Sequence, residues 1–278
     1  MAIILNITYN VLHGVSATME KSMNIAISVK DRSGKVLSAA SGIGEVVLVY
    51  DGEYNDGDII SVSTDTFPSF VVIQLDHTMA PCFCFLKDGN FSFTVPFNEK
   101  RISYAPFSFS GSRHYIHLRF ASEDEIRCRK NLAFNPYDYH ENDGLFPHSM
   151  ANVETRGESV FASRNAIDGY LASSFHGEWP YTSWGINRDP NAELQLDFGR
   201  PVTVDEIVLY LRTDFPHDSW WEKAEIEFSD GKSMVVNLQR FKIDTRTINT
   251  LVLKNLIKGD ETSPFPALTQ IQVFGSDL

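Results

Sequence analysis

Apolar and polar residues alternate one by one in run after run of this chain, and helical spacing is nearly absent. Ala192-Glu-Leu-Gln-Leu-Asp-Phe198 is the clearest case. Leu194, Leu196 and Phe198 fall on one side, and Glu193, Gln195 and Asp197 on the other. Successive side chains of a strand point to opposite faces, so such a run buries one face and wets the other. The runs are short, and Gly, Asp, Asn and Pro separate them, which is the punctuation of all-β sandwiches.

This pattern predicts strands over Ile3–Val11, Ser22–Val29, Glu45–Val49, Asp58–Ser63, Ser69–Leu75, Cys82–Leu86, Phe91–Val95 and His114–Phe120. Beyond them it predicts Ala192–Phe198, Glu206–Arg212, Lys223–Phe228, Ser233–Leu238, Thr250–Leu253 and Thr269–Phe274. Glu206–Arg212 is apolar on both faces and reads as a central strand. Asp-Gly tolerates the positive φ of a tight turn. Lys87-Asp-Gly-Asn90 and Ser229-Asp-Gly-Lys232 therefore predict hairpins, with Ser33-Gly34 in a similar part.

One helix is expected. In Ser122-Glu-Asp-Glu-Ile-Arg-Cys-Arg-Lys130, Ser122 can cap, Glu125 stands at the reciprocal position and basic residues close the segment. It reads as a connector over residues 122–130. An N-terminal β-sandwich over 1–121 would precede it and a second unit over 131–278 would follow, in line with a length of 278 residues.

Composition narrows the function. The formal net charge is −12. Residues 1–130 hold 12 basic and 14 acidic side chains and the remainder 12 and 22, so the acidity lies in the second unit. Nucleic acid and anionic membrane surfaces both demand the opposite sign. No apolar run is long enough to span a bilayer. Met1-Ala-Ile-Ile-Leu reads as a first strand and not as a secretory leader, which predicts a cytoplasmic protein. The odd, sparse set Cys82, Cys84 and Cys128 fits reduced thiols, with Cys82 and Cys84 on one strand face and in the core. The acidic stretch Asp51–Asp58 lacks a later bidentate Glu and reads as a solvated turn. No nucleophile elbow, phosphate loop, dinucleotide fingerprint or His-Glu-x-x-His is present.

All four tryptophans lie between Trp179 and Trp221. Asn165-Ala-Ile-Asp-Gly169, Thr182-Ser-Trp184, Leu194-Gln-Leu-Asp-Phe-Gly199, Val204-Asp-Glu-Ile-Val-Leu209, Glu225–Gly231 and Ala267–Gly275 follow one another in order. Together they resemble the galactose-binding-like, discoidin-type jelly roll shared by family-32 carbohydrate-binding modules and the type C domains of coagulation factors. The resemblance covers residues 131–278. It implies a galactose-binding-like jelly roll with a non-catalytic ligand site on loops at one end, and fold alone does not name the ligand. Two departures stand out. An additional loop, about Leu171–Tyr181, carries His176, Glu178 and Trp179. At the place of a last-strand Glu that helps hold a structural calcium in many relatives, this chain has Gln270, although Asp168 is retained.

The expected partner is a carbohydrate, since aromatic rings stack on sugar faces while polar groups fix hydroxyls. Trp179 and Trp220 are the stacking candidates, and Trp184 matches a packed ring. Arg188, His176 and His217 are candidates for the hydroxyls, with His148, Arg156, Glu178 and Asp214 completing the set. No cofactor is expected beyond a structural calcium at Asp168. Two alternatives stay open. One is a carbohydrate-active hydrolase or lyase drawing on His176, Glu178, Asp214 or His217. The other is a module that docks proteins or forms an oligomer.

Overall fold

A computed structural model of the chain describes residues 23–173, 175–212, 219–237, 239–260 and 263–278. The expected strand Ile3–Val11 and the candidates Asp214 and His217 lie outside the described residues. Among the described residues, eight strands come first: β1 Asn24–Lys30, β2 Val36–Ile43, β3 Glu45–Asp51, β4 Ile59–Thr64, β5 Ser69–Gln74, β6 Cys82–Leu86, β7 Asn90–Thr94 and β8 Arg113–Phe120. Helix α1 spans Glu123–Arg127. There follow β9 Lys130–Asn131, β10 Leu145–Phe146, β11 His148–Ala151, β12 Trp184–Gly185, β13 Leu194–Leu211, β14 Trp221–Phe228, β15 Ser233–Val236, β16 Arg240–Lys258 and β17 Ala267–Asp277.

The first half is a two-layer sandwich. One sheet runs β2-β1-β4-β7 and the other β10-β6-β5-β8-β3. Ile25, Ile27, Val29, Ile60 and Phe93 of the first meet Leu48, Val71, Ile73, Leu86 and Ile116 of the second in one core. Cys82 and Cys84 share this face as their spacing requires; both are fully buried and unbridged, with their sulfurs 3.2 Å apart. The Asp31–Lys35 turn closes the β1–β2 hairpin, with Gly34 at φ 87°.

The Asp88-Gly89 expectation is corrected. Gly89 has the positive φ, 74°, but β6 pairs with β5 and β10 whereas β7 pairs with β4. The turn crosses between layers instead of folding a hairpin. A tight turn sets local backbone shape; which layer each buried face joins is decided by the core. Strand β2 was not expected at all. It pairs along β1 as an edge strand, and its half-buried side is made of Ser38, Ala40 and Gly42, which give no apolar signal in the sequence.

In the second half, one continuous antiparallel sheet runs β12-β17-β13-β16-β14-β15, with β11 on β13 and β9 on β17. The two strands expected over Ala192–Phe198 and Glu206–Arg212 are parts of the single 18-residue β13. Its register breaks between Asp197 and Val202, where Gly199 has φ 67° and donates its N–H to Asp197. The Ser229–Lys232 turn is a hairpin, with Phe228 N–H on the Lys232 carbonyl at 2.9 Å. The core joins Trp184, Leu196, Phe198, Ile207, Trp221, Phe228, Leu251, Leu268 and Val273.

The connector carries the expected capping box, Ser122 Oγ accepting from Glu125 N–H and Glu125 from Ser122 N–H at 2.9 Å. Arg119 also grips Glu125 with two bonds of 2.6 and 2.7 Å, and those bonds pull its pKa down to about 2. Beyond it the chain stitches both cores. Leu132 and Ala133 join the second, while Tyr137 and Leu145 join the first. Buried Asp138 fixes this segment. It accepts from His148 Nδ1 at 2.7 Å, Asn142 at 2.9 Å and the Ser149 hydroxyl at 2.7 Å.

Candidate functional site

A cleft opens where three short segments of the second half meet. They are the turn Thr155–Gly157, the residues leaving β12 (Gly185–Arg188) and the approach to β17 (Phe265–Ala267), joined by Phe161, His176 and Arg212. It encloses about 90 Å³ and is partly open to solvent. Its position follows from the core. Trp184 is fully buried and its indole N–H bonds the Val153 carbonyl at 3.0 Å, so the chain leaving β12 has one exit. Gly185 then lies against Thr155, where a Cβ would fall 2.6 Å from the Thr155 hydroxyl.

The backbone there is strained. Arg156, Asn187 and Arg188 adopt φ of 55°, 49° and 60°, in the left-handed region that non-glycine residues avoid. All three line the cleft. Strain of this sort persists only where surrounding bonds impose it, and it gathers at ligand sites. Here Thr155 Oγ1 accepts from Asn187 N–H at 2.9 Å and the Ile186 carbonyl accepts from Asp189 N–H at 2.8 Å.

The cleft's chemistry is cationic and aromatic. The Arg188 guanidinium sits 4.3 Å from the Phe265 ring centre. Arg156 lies 5.6 Å from the Phe161 ring and forms two bonds with Glu158, of 2.6 and 2.7 Å. Arg212 is buried, 5.7 Å from the same ring, with Nη1 on the Ser183 hydroxyl at 3.4 Å. His176 is half-buried, edge-on to Tyr181 at 5.6 Å. Among the described residues no carboxylate lines the cleft.

The structure thus brings Arg156, His176 and Arg188 together at one cleft. It places the other candidates elsewhere. Trp179 packs edge-on against Tyr170 at 4.8 Å, outside the cleft lining, and Glu178 beside it is exposed. His148 is buried on Asp138; burial alone favours neutral imidazole, but the hydrogen bond and charge of Asp138 outweigh it and raise the pKa. Trp220 is exposed and lines a second, wider cleft with Leu211, Trp221, Lys223 and Gln239. Its neighbour Trp221 is buried 6.2 Å from Trp184, so the adjacent pair splits between core and surface as strand alternation demands. Phe161, Asn187, Arg212 and Phe265 were missed. Only Arg212, a charge ending an apolar strand, left a signal.

Asp168 sits in a buried hydrogen-bond cluster. Its Oδ1 accepts from the Gln270 amide at 2.7 Å and from Tyr170 N–H at 3.0 Å, and its Oδ2 from the Thr182 hydroxyl at 3.3 Å. The same Gln270 Nε2 donates to the Asn165 carbonyl at 2.6 Å. The Asn165 carbonyl and Asp168 Oδ1 therefore share one amide donor, while Gln270 Oε1 is buried without a hydrogen-bond partner. Calcium takes six to eight oxygen ligands, several of them charged. The described residues contain no group of three or more His, Cys, Asp or Glu able to hold a metal. Burial drives the Asp168 pKa up to about 7, against the pull of nearby Arg164.

No protein-family model matches this sequence, and no curated protein matches it. Solved structures similar to it include chitosan-binding module 1 of a chitosanase/glucanase from Paenibacillus sp. IK-5, at 16% identity and TM-score 0.37, covering 52% of this chain and 99% of that one. A Streptococcus pneumoniae fucose-binding module is similar at 14% identity and TM-score 0.37, over 52% of this chain and 96% of its own. The family 32 carbohydrate-binding module of C. perfringens NanJ, in complex with galactose, is similar at 19% identity and TM-score 0.33, over 45% and 91%.

Proposed function

We propose that this protein binds a carbohydrate in the cleft formed by Arg156, His176 and Arg188, and does not transform it. The observation that carries this reading is the convergence of three left-handed non-glycine residues on one cleft. The fold spends conformational energy there and nowhere else so densely among the described residues. Phe265, Phe161 and Ile186 offer apolar surface, while guanidinium, imidazole and the Asn187 amide offer directional polar groups. A sugar presents that same pairing, an apolar ring face edged with hydroxyls. Hydrolysis of a glycoside asks for two carboxylates about 5–10 Å apart, and the described lining supplies none. A glycan array followed by calorimetry tests the reading. Binding of a saccharide that Arg188→Gln weakens and that leaves no cleavage products supports it. Loss of all saccharide binding at millimolar concentration, or turnover of the bound sugar, overturns it.

A further inference from the structure

Two strand edges open on the same side of the first sandwich. Strand β3 ends one sheet, and β2 ends the sheet that faces it. Only Gly44, at φ 76°, separates β2 from β3. Among the described residues nothing pairs with either strand on its outer side. An open edge is a template for a further strand, and sheets commonly blunt it with lysine, proline or a bulge. Strand β3 has none of these. Its seven residues, Glu45-Val-Val-Leu-Val-Tyr-Asp51, pair without a break with residues 113–119 of β8. On its outer face Val47 and Val49 are 41% and 56% exposed, and Tyr115, paired with Val49, is 40% exposed.

The phase of the ladder fixes which backbone groups point outward. Phe120 N–H donates to the Gly44 carbonyl at 3.0 Å, and Gly52 N–H donates to the Ser112 carbonyl at 2.9 Å. Both residues have even numbers and both bond toward β8. Successive residues of a strand turn their N–H and C=O to opposite edges. Glu45, Val47, Val49 and Asp51 therefore present theirs to the open side.

A strand that meets its own copy across a two-fold axis must be self-complementary. About Leu48, β3 reads the same in both directions: acidic, apolar, Val, Leu, Val, apolar, acidic. Antiparallel pairing centred on Leu48 sets Val47 against Val49 of the other copy, and Glu45 against Asp51. In that register every outward N–H and C=O finds a partner. A slip of one residue opposes groups that face away from each other, and a slip of two leaves the end groups unpaired. The acidic ends bring their own compensation. Arg113 lies 3.4 Å from Asp51, and His117 Nε2 lies 2.8 Å from Glu45, so both flank each Glu45–Asp51 couple. The same rotation brings β2 toward its copy in the facing layer, where Val36, Leu37 and Ile43 are exposed. This second layer adds to what one strand pair covers, as a specific interface of about 1,000 Å² or more requires.

We infer that a second copy of this chain docks along β3, so that one sheet runs antiparallel through both copies. The inference rests on the first half alone and does not depend on what the cleft binds.

Sedimentation velocity of the full chain, from low micromolar to submillimolar concentration, is expected to show a monomer passing to a dimer. Val47→Lys with Val49→Lys places like charges across the pairing and is expected to raise the dissociation constant at least about tenfold. Both positions are exposed, so the circular dichroism spectrum should be unchanged. Hydrogen exchange at the Val47 and Val49 amides is expected to slow as concentration rises. The register has its own readout. Opposed residues in a bonded antiparallel pair have Cα atoms about 5.5 Å apart, within reach of a disulfide. In a Cys128→Ser background, Val47→Cys mixed with Val49→Cys should cross-link under oxidised glutathione much faster than either alone. A native chain that stays monomeric overturns the inference, and so does a dimer that the lysine pair leaves intact. Protection of the Val47 and Val49 amides in monomeric protein also overturns it, since the edge is then covered within the chain. Equal cross-linking by Val47→Cys alone overturns the Leu48-centred pairing and the self-complementarity from which the second copy is inferred.

Discussion

The Thr155 hydroxyl accepts the backbone N–H of Asn187 at 2.9 Å, and this bond ties the two strained turns of the cleft to each other. Arg156 follows Thr155, and Arg188 follows Asn187, each with positive φ. Thr155→Val keeps the shape and removes the acceptor. It should cost about 1 kcal/mol of stability, the usual net value of one such bond. Ligand affinity should fall further than that, because Arg156 and Arg188 lose their fixed spacing. Chemical denaturation and titration of the same variant compare the two losses. A variant that loses stability but keeps full affinity would show that the turns hold themselves.

Trp184 and Trp179 should behave differently. Trp184 is fully buried in the second core and bonds Val153, so Trp184→Ala should destabilise by about 3–5 kcal/mol. Trp179 is half-buried on Tyr170 and does not line the cleft. Trp179→Ala should therefore cost much less stability, and less affinity than Arg188→Gln. Melting curves and titrations of the three variants measure this. A collapse of binding in Trp179→Ala alone would move the site into the Leu171–Tyr181 loop.

These contrasts mark what the sequence makes legible. Alternation identifies a buried face whenever a strand has one, which is why Leu194, Leu196 and Phe198 were readable and the edge strand Val36–Ile43 was not. Pairing is a long-range property. Asp88-Gly89 announces a turn but carries no information about the layers on either side of it. The same holds at the site. His176 and Arg188 stand out because they share one dense polar and aromatic segment. Phe265 sits in an unremarkable Ser-Pro-Phe-Pro run, and only the pairing of β17 with β12 and β13 brings it across to Arg188. Trp220 looked like part of the same site because the chain alone cannot separate two clefts.

The Gln270 amide draws the Asn165 and Asp168 oxygens together by donating to both, with no cation needed to hold them. Chelation should leave the melting temperature of the native protein unchanged. Gln270→Glu replaces the donor by a second carboxylate beside Asp168, and two buried like charges repel. That variant should melt lower in chelator and recover on adding calcium. Chelator sensitivity in the native protein would show that the amide does not stand in for the metal.

Two buried groups should make stability fall as pH rises through neutrality. Asp168 has its pKa lifted by burial from 3.8 to about 7. His148 is desolvated, but its bond to Asp138 prevails and lifts its pKa above 6.5. A group whose folded pKa lies above its unfolded value holds its proton more tightly in the native state. The stability this contributes is complete below the unfolded pKa and is lost as pH climbs through the folded one. For Asp168 the loss runs from pH 3.8 to about 7, and for His148 it begins near 6.5, so the two overlap around neutrality. The melting temperature should thus be higher at pH 6 than at pH 8. Asp168→Asn removes one titration and keeps a neutral side chain, so its profile should be flatter over this interval. His148→Gln should flatten the upper part. Calorimetric melts of the three proteins at pH 6, 7 and 8 decide the matter, and a native profile that rises toward pH 8 would show that neither proton is held by the fold.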